Sequence, residues 1–208
     1  QDLNVSIACG DRVEIKGCQD LDWIPRIIRL EMSRQLHFYR LANSLRKQLS
    51  LPALPPDRRN TSAEVEAEVA AALAAALPLA IHDVGKVFTN CESKMVDSSL
   101  ADGAAMLAIC LPYLGGNLGM KTEDSSGAQL PRLGRELASA AKLAGVAGIF
   151  HSDELPAYGI SQGEVEAVKE ALNMATISEA STGDAFVLCC APAWQAELAL
   201  EAVVMRAR

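Results

Sequence analysis

The sequence predicts an α+β fold, a two-layer helix-on-sheet sandwich preceded by a β-hairpin and a long helix. Three observations carry this reading. From residue 79 to 208 strand-like and helix-like segments alternate with short connections, the order that packs helices onto a sheet. Residues 3–7 and 12–16 alternate apolar and polar side chains around Cys9-Gly10-Asp11, which is a hairpin signal. Residues 22–49 repeat apolar side chains at helical period, with cations on the opposite side.

The long helix starts near Asp22, with Pro25 in its first turn, where a missing N–H leaves no bond unmade. Ile24, Ile28, Met32, Leu36, Tyr39, Ala42, Leu45 and Leu49 fall on one side of its wheel. Arg26, Arg29, Ser33, His37, Arg40, Ser44 and Lys47 form the stripe opposite. LPALPPDRRN at 51–60 is a proline-rich linker and the best domain boundary. Thr61 and Glu64 have capping-box spacing before an Ala-rich helix to about Leu77. Strand-like segments follow at 79–89 and 104–111, then the glycine-rich loop LGGNLG at 114–119. Pro131 opens a helix to about Ala144, and Val146 to Phe150 reads as a buried strand. Ser161 and Glu164 repeat the capping-box spacing before a helix to about Asn173. Residues 185–190 form another strand and 193–206 another helix. The chain thus divides into 1–50, a linker and Ala-rich helix at 51–78, and 79–208.

Half of the residues are apolar but 4% are aromatic, so the core is built from Ala, Leu, Val and Ile. No apolar run reaches the roughly 20 residues of a membrane span, since 65–80 is broken by Glu66, Glu68 and Pro78. Six cysteines without CxxC spacing point to buried, reduced thiols of a cytoplasmic protein. A start at Gln1 and an end inside a helical pattern read as a piece of a longer protein. Residues 1–60 hold 10 Lys and Arg against 7 Asp and Glu, whereas 61–208 hold 9 against 19. Phosphate affinity comes from released counterions, so nucleic acid contacts are expected in the first part.

Four groups of polar residues carry possible chemistry. His82-Asp83 resembles the dyad of HD phosphohydrolases, but it lies in a strand-like run without the partner residues that such a site needs. LGGNLG lacks the Gly-Lys-Ser/Thr continuation of a phosphate loop, and a tight turn accounts for it better. His151-Ser152-Asp153-Glu154 holds acid, base and ligand types, yet a turn uses the same residues to satisfy backbone donors. Asp2, Asn4 and Ser6 alternate along one strand face, and Glu14 and Lys16 can line the same face of the partner strand. Carboxylates with an amide suit Mg²⁺ and Lys suits phosphate, while a cross-strand ion pair uses the same residues. The helical stripe likewise reads either as a solvated face or as a track for RNA phosphates.

The segment GIFHSDELPAYGI at 148–160, with SQGEVEAVKEAL after it and DAFVLCCAPAWQAELALEAVVMRAR at 184–208, resembles an insertion found in the GatB/GatE family of glutamyl-tRNA(Gln) amidotransferase subunits. QDLNVSIACGDRVEIKGCQDLDWIPRIIRLEMSRQL is similar to the strand pair and helix that close the catalytic cradle domain of that family. The resemblance covers about 1–49 and 79–208. It implies that 1–50 is the end of the cradle and that 79–208 is the GAD domain, the helix-on-sheet module related to bacterial aspartyl-tRNA synthetases. The implied reaction converts Glu-tRNA(Gln) to Gln-tRNA(Gln) by phosphorylation with ATP and Mg²⁺, then amidation with ammonia from a GatD-type asparaginase subunit.

Under this resemblance, Asp2, Asn4, Glu14 and Lys16 lie near ATP, with Asp2 and Glu14 as metal ligands, and Arg26, Arg29, Arg40 and Lys47 contact tRNA(Gln). It implies neither DNA nor membrane as partner and assigns no catalytic residue. The remaining cradle strands and the C-terminal helical and tail domains lie outside this sequence, so the segment by itself is expected to be inactive. A noncatalytic tRNA-binding or assembly module is the alternative, with a hydrolase built on His151 and Asp153 behind it.

Overall fold

In the computed structural model, which describes residues 1–155, 158–174 and 183–208, β1 (Leu3–Val5) and β2 (Val13–Ile15) form the expected hairpin. They pair antiparallel, with Leu3 opposite Ile15, Asn4 opposite Glu14 and Val5 opposite Val13. The strands stop short of the alternating pattern. The Ile7 N–H donates to the side-chain carbonyl of Gln35 at 3.3 Å instead of extending the ladder. A 3₁₀ turn at Leu21–Trp23 leads into α1 (Ile24–Gln48), and the Asp20 carboxylate accepts the Asp22 N–H at 2.9 Å.

The apolar side of the wheel is only part of what α1 buries. Its buried residues are Glu31, Gln35, Leu45 and Arg46, and each of the three polar ones has partners. Arg34 clamps the Glu31 carboxylate at 2.7 and 2.8 Å, and Gln35 donates to Glu31 at 2.9 Å. Arg46 donates to Glu66 at 2.8 and 3.2 Å and to the Pro52 carbonyl at 3.1 Å. Residues 51–60 are therefore strapped along α1. Tyr39 donates to the Leu54 carbonyl at 3.1 Å, and the Leu54 N–H donates to Asn43 at 2.7 Å.

Helix α2 (Ala63–Ala76) starts later than the capping-box reading requires, and Thr61 Oγ1 is buried without a hydrogen-bond partner. The chain falls into two compact units, Gln1–Ala72 with Lys121–Pro131, and Leu73–Met120 with Arg132–Arg208.

The second unit is a helix-on-sheet structure of the predicted α+β class. Strands β3 (Ile81–Asp83), β4 (Ala105–Leu111), β5 (Phe150–His151) and β6 (Ala185–Ala191) lie in the order β3-β4-β6-β5, each pair antiparallel. The seven pairs from Ala105–Ala191 to Leu111–Ala185 make β4 and β6 the centre of the sheet. Both faces of these strands are buried, which is why they read as continuous apolar runs. On one face Met106, Ala108, Phe186 and Leu188 pack with Phe88, with Val96 of α3 (Lys94–Ala101) and with Val165, Val168 and Leu172 at α5 (Gln162–Ala171). On the other lies α6 (Ala193–Ala207), backed by α4 (Leu133–Lys142). A second helical layer thus closes the sheet.

The Ser161–Glu164 capping box forms with both of its bonds. Two expected strands are shorter than their apolar runs. Of 79–89 only Ile81–Asp83 pairs before a 3₁₀ turn, and near Val146 to Phe150 the paired residues are Phe150 and His151. All six cysteines are free thiols, but only Cys18 and Cys189 are buried while the other four are half-buried; burial pushes Cys110 up to about 12 and Cys189 up to about 11. Among the described residues no helix is long and apolar enough to cross a membrane.

The end of α2 belongs to this second unit. Leu73 is buried, Leu77 has no exposed surface, and Arg208 donates to the Leu77 carbonyl at 2.8 and 3.0 Å. A fragment of residues 63–208 is therefore expected to melt cooperatively and well above one of residues 79–208. Losing two buried leucines costs about 2–5 kcal/mol each, which separates the midpoints by at least about 5 °C. Thermal melts followed by circular dichroism check this, and coincident midpoints would contradict it.

Candidate functional site

The hairpin presents the polar face that its alternation predicts. Asn4 and Glu14 stand directly opposite each other, so they share a face. Continuing the register places Asp2 opposite Lys16, and the Cys18 N–H holds the pairing beyond the strands by donating to the Gln1 carbonyl at 3.0 Å. Asp2, Asn4, Ser6, Glu14 and Lys16 are all exposed. Lys16 and Glu14 approach to 3.4 Å, an ion pair within one arm of the hairpin and not the cross-strand pair that the residue types also allow.

Among the described residues no three His, Cys, Asp or Glu side chains gather into a metal cage. Mg²⁺ needs none, since it takes one or two carboxylates and keeps waters and phosphate oxygens. Asp2, Asn4 and Glu14 supply oxygen atoms and Lys16 a cation on exposed positions of this hairpin.

Beside the hairpin, α1 sorts its cations into two sets. Arg34 and Arg46 are held by Glu31 and Glu66. Arg26, Arg29, Arg40 and Lys47 are exposed. At 100° per residue these four lie within about 60° of one another along about 32 Å of helix. His37 lies in the same stripe, and burial together with the Arg40 charge holds its imidazole below its ordinary value. Burial alone would raise the Glu31 carboxyl. The bonds from Arg34 and Gln35 outweigh it and hold that group low, so the charge under the hairpin persists.

A contribution that the sequence reading missed comes from residues 121–131, which join the first unit. Asp124 Oδ1 accepts the N–H groups of Ser126 at 2.8 Å and Ala128 at 2.9 Å, and the turn is closed by Gly127 at φ 78°. The Ser126 hydroxyl and these backbone bonds hold the Asp124 carboxyl low, helped by the charge of Arg29. The signal was present as Asp-x-Ser-Gly, a turn that its own carboxylate organises.

In the second unit the dense motif is structural. The Asp153 carboxylate accepts the Gly116 N–H at 3.0 Å and the Gly119 N–H at 2.9 Å, so donors that could cradle a phosphate in LGGNLG are occupied. A Cβ at Gly115 would stand 2.5 Å from the Gly183 carbonyl, which explains that glycine. Ser152 Oγ accepts the Phe186 N–H at 3.1 Å. Glu154 is gripped by Arg132, and the Tyr158 hydroxyl donates to it at 3.2 Å.

His151 is buried, with Nδ1 unpartnered and Nε2 at 3.4 Å from Glu154. Burial pushes its imidazole below its ordinary value against the pull of Glu154 and Asp153. Asp83 of the His82-Asp83 pair accepts the Gly85 N–H at 2.8 Å, again a turn.

No protein-family model matches the chain. Curated relatives match it from end to end. The E subunit of glutamyl-tRNA(Gln) amidotransferase from Pyrococcus furiosus is 41% identical over 208 residues, all of this chain and 28% of the relative. The protein of the same name in Methanothermobacter thermautotrophicus is 37% identical over 207 residues, and that in Methanopyrus kandleri 38% over 207. The chain spans 27% of the length of each of these two.

Asp153→Ala, which strips the acceptor from two backbone N–H groups, is expected to destabilise the second unit by roughly 1–3 kcal/mol. Asp153→Asn keeps one acceptor oxygen and should recover part of the loss. Chemical denaturation checks both, and equal stability of wild type and Asp153→Ala would contradict the structural role.

Proposed function

The chain is homologous along its whole length to a segment of the glutamyl-tRNA(Gln) amidotransferase E subunit, and from this we propose that it forms part of the enzyme that converts Glu-tRNA(Gln) to Gln-tRNA(Gln). Residues 1–50 are the end of the catalytic cradle, and residues 79–208 are the GAD insertion domain. In the complete cytoplasmic enzyme, phosphorylation by ATP and Mg²⁺ turns the glutamate carboxylate oxygen into a phosphate leaving group. Ammonia from a GatD-type asparaginase partner then displaces it.

Within this chain Asp2, Asn4 and Glu14 are the oxygen donors facing the metal and Lys16 is the cation facing phosphate. Arg26, Arg29, Arg40 and Lys47 hold the tRNA backbone. The observation that carries the tRNA part is the sorting of cations along α1. Two are neutralised by carboxylates of the same unit, and four are exposed in one line. The polar motifs of the second unit are occupied by backbone groups, which favours a positioning or assembly role for that domain.

The test uses the full-length protein with its asparaginase-type partner. Asp2→Ala and Glu14→Ala are expected to lower amidation of Glu-tRNA(Gln) at least about tenfold while leaving tRNA affinity nearly unchanged, as loss of transition-state contacts does. Replacing Arg26, Arg29, Arg40 and Lys47 together by Ala should change the slope of log K against log salt by roughly 3 to 4. It should also weaken cognate and noncognate tRNA alike, since phosphate contacts carry little sequence information. Wild-type turnover in the carboxylate variants would return those residues to a structural role. Parallel salt slopes would make the stripe plain solvated surface.

A further inference from the structure

At the head of the basic stripe stands a large aromatic side chain that the fold leaves in solvent. Trp23 is 52% exposed, at the end of the 3₁₀ turn that Asp20 caps. The Arg26 guanidinium lies over its ring at 5.2 Å from the centroid. One turn further, Arg26, Arg29 and Leu30 line a cleft of about 360 Å³ whose other wall is Asp124, Ser126, Gly127 and Ala128. That wall is pre-shaped, because Asp124 fixes it through the bonds to Ser126 and Ala128.

A half-exposed indole under a guanidinium, beside a cleft with two arginines, combines a stacking surface with charge for the adjoining phosphate, and the Asp124 carboxylate on the facing wall offsets part of the Arg29 charge. We propose that Trp23 and Arg26 form a platform on which an unpaired RNA base stacks, with its phosphate held at Arg26 and Arg29.

An unpaired base follows from the chemistry. In an A-form duplex the base faces are already stacked on one another and only the edges are open, so an indole has nothing to stack on. Phosphate contacts along Arg40 and Lys47 position a strand without reading it, whereas Trp23 distinguishes a single strand from a duplex. The inference rests on the reading of the stripe as an RNA track and adds to it a single-strand end.

Trp23 and Trp194 are the two tryptophans of the chain, and Trp194 is a 63% exposed residue of the other unit, so Trp194→Phe leaves Trp23 as the fluorescent reporter. The 208-residue chain carrying Trp194→Phe is titrated with an eight-nucleotide single-stranded RNA and, separately, with a blunt RNA duplex. The expected result is saturable quenching of Trp23 by the single strand and none by the duplex. Trp23→Ala should weaken single-strand binding about tenfold without changing the salt slope, and Trp23→Phe should retain most of the affinity.

Single-strand binding without quenching, or with unchanged affinity in Trp23→Ala, overturns the platform while leaving the stripe intact. An unchanged salt slope in the variant lacking all four stripe cations removes the stripe reading itself. A blue shift of Trp23 on adding the asparaginase-type partner, with no response to RNA, assigns the residue to a protein interface and overturns the proposal. Absence of RNA binding does so as well.

Discussion

One buried amide fixes the geometry of the first unit. Gln35 sits on α1 beneath the hairpin, where it accepts the Ile7 N–H, donates to the Val5 carbonyl at 3.4 Å and donates to Glu31. An apolar side chain at 35 would remove all three of these bonds, and each buried donor or acceptor left unmade costs about 1–3 kcal/mol. The contact is close enough to dictate its neighbour. A Cβ on Gly10 would stand 2.0 Å from Gln35 Oε1, so a side chain there would push the amide away from its bonds to the hairpin.

This constraint connects the two candidate surfaces. The hairpin carries the polar face of Asn4 and Glu14, and α1 carries the line of Arg26, Arg29, Arg40 and Lys47. Gln35 holds one to the other. Glu31 and Arg34 extend the same network, and because Arg34 answers Glu31 within the helix, the exposed cations remain uncommitted to it. A phosphate-bearing ligand and an RNA backbone could thus be presented to surfaces of fixed relative geometry within one compact unit, a requirement of any site that must bring two substrates together. The second unit solves a different problem. Its central strands are buried on both faces, and its polar residues bind backbone groups that would otherwise lack partners, as Asp153 does for Gly116 and Gly119.

The periodic parts of the fold were legible in the sequence. Alternation over 3–7 and 12–16 located the hairpin, the 3.6-residue period located α1, and Ser161 with Glu164 located the start of α5. Continuous apolar runs located β4 and β6. What failed lay in weak or unrealised local signals. Thr61 and Glu64 have capping spacing, yet α2 begins at Ala63 and the Thr61 hydroxyl bonds nothing. Helix α3 went unseen, because eight residues with two serines and a single fully buried apolar side chain give little periodicity. In the candidate site, exposed faces could be read from spacing, but Glu31 and Gln35 could not. Buried polar residues on a helix look like solvated ones until their partners at distant positions are known.

The most direct test of this dependence is amide hydrogen exchange in Gln35→Leu. Local opening of the hairpin reports the loss of its support, while β4 and β6 report the second unit. The account predicts that amides within residues 3–15 exchange at least about tenfold faster than in wild type, with protection in β4 and β6 unchanged. Unchanged hairpin protection, or equal acceleration in both units, would contradict it.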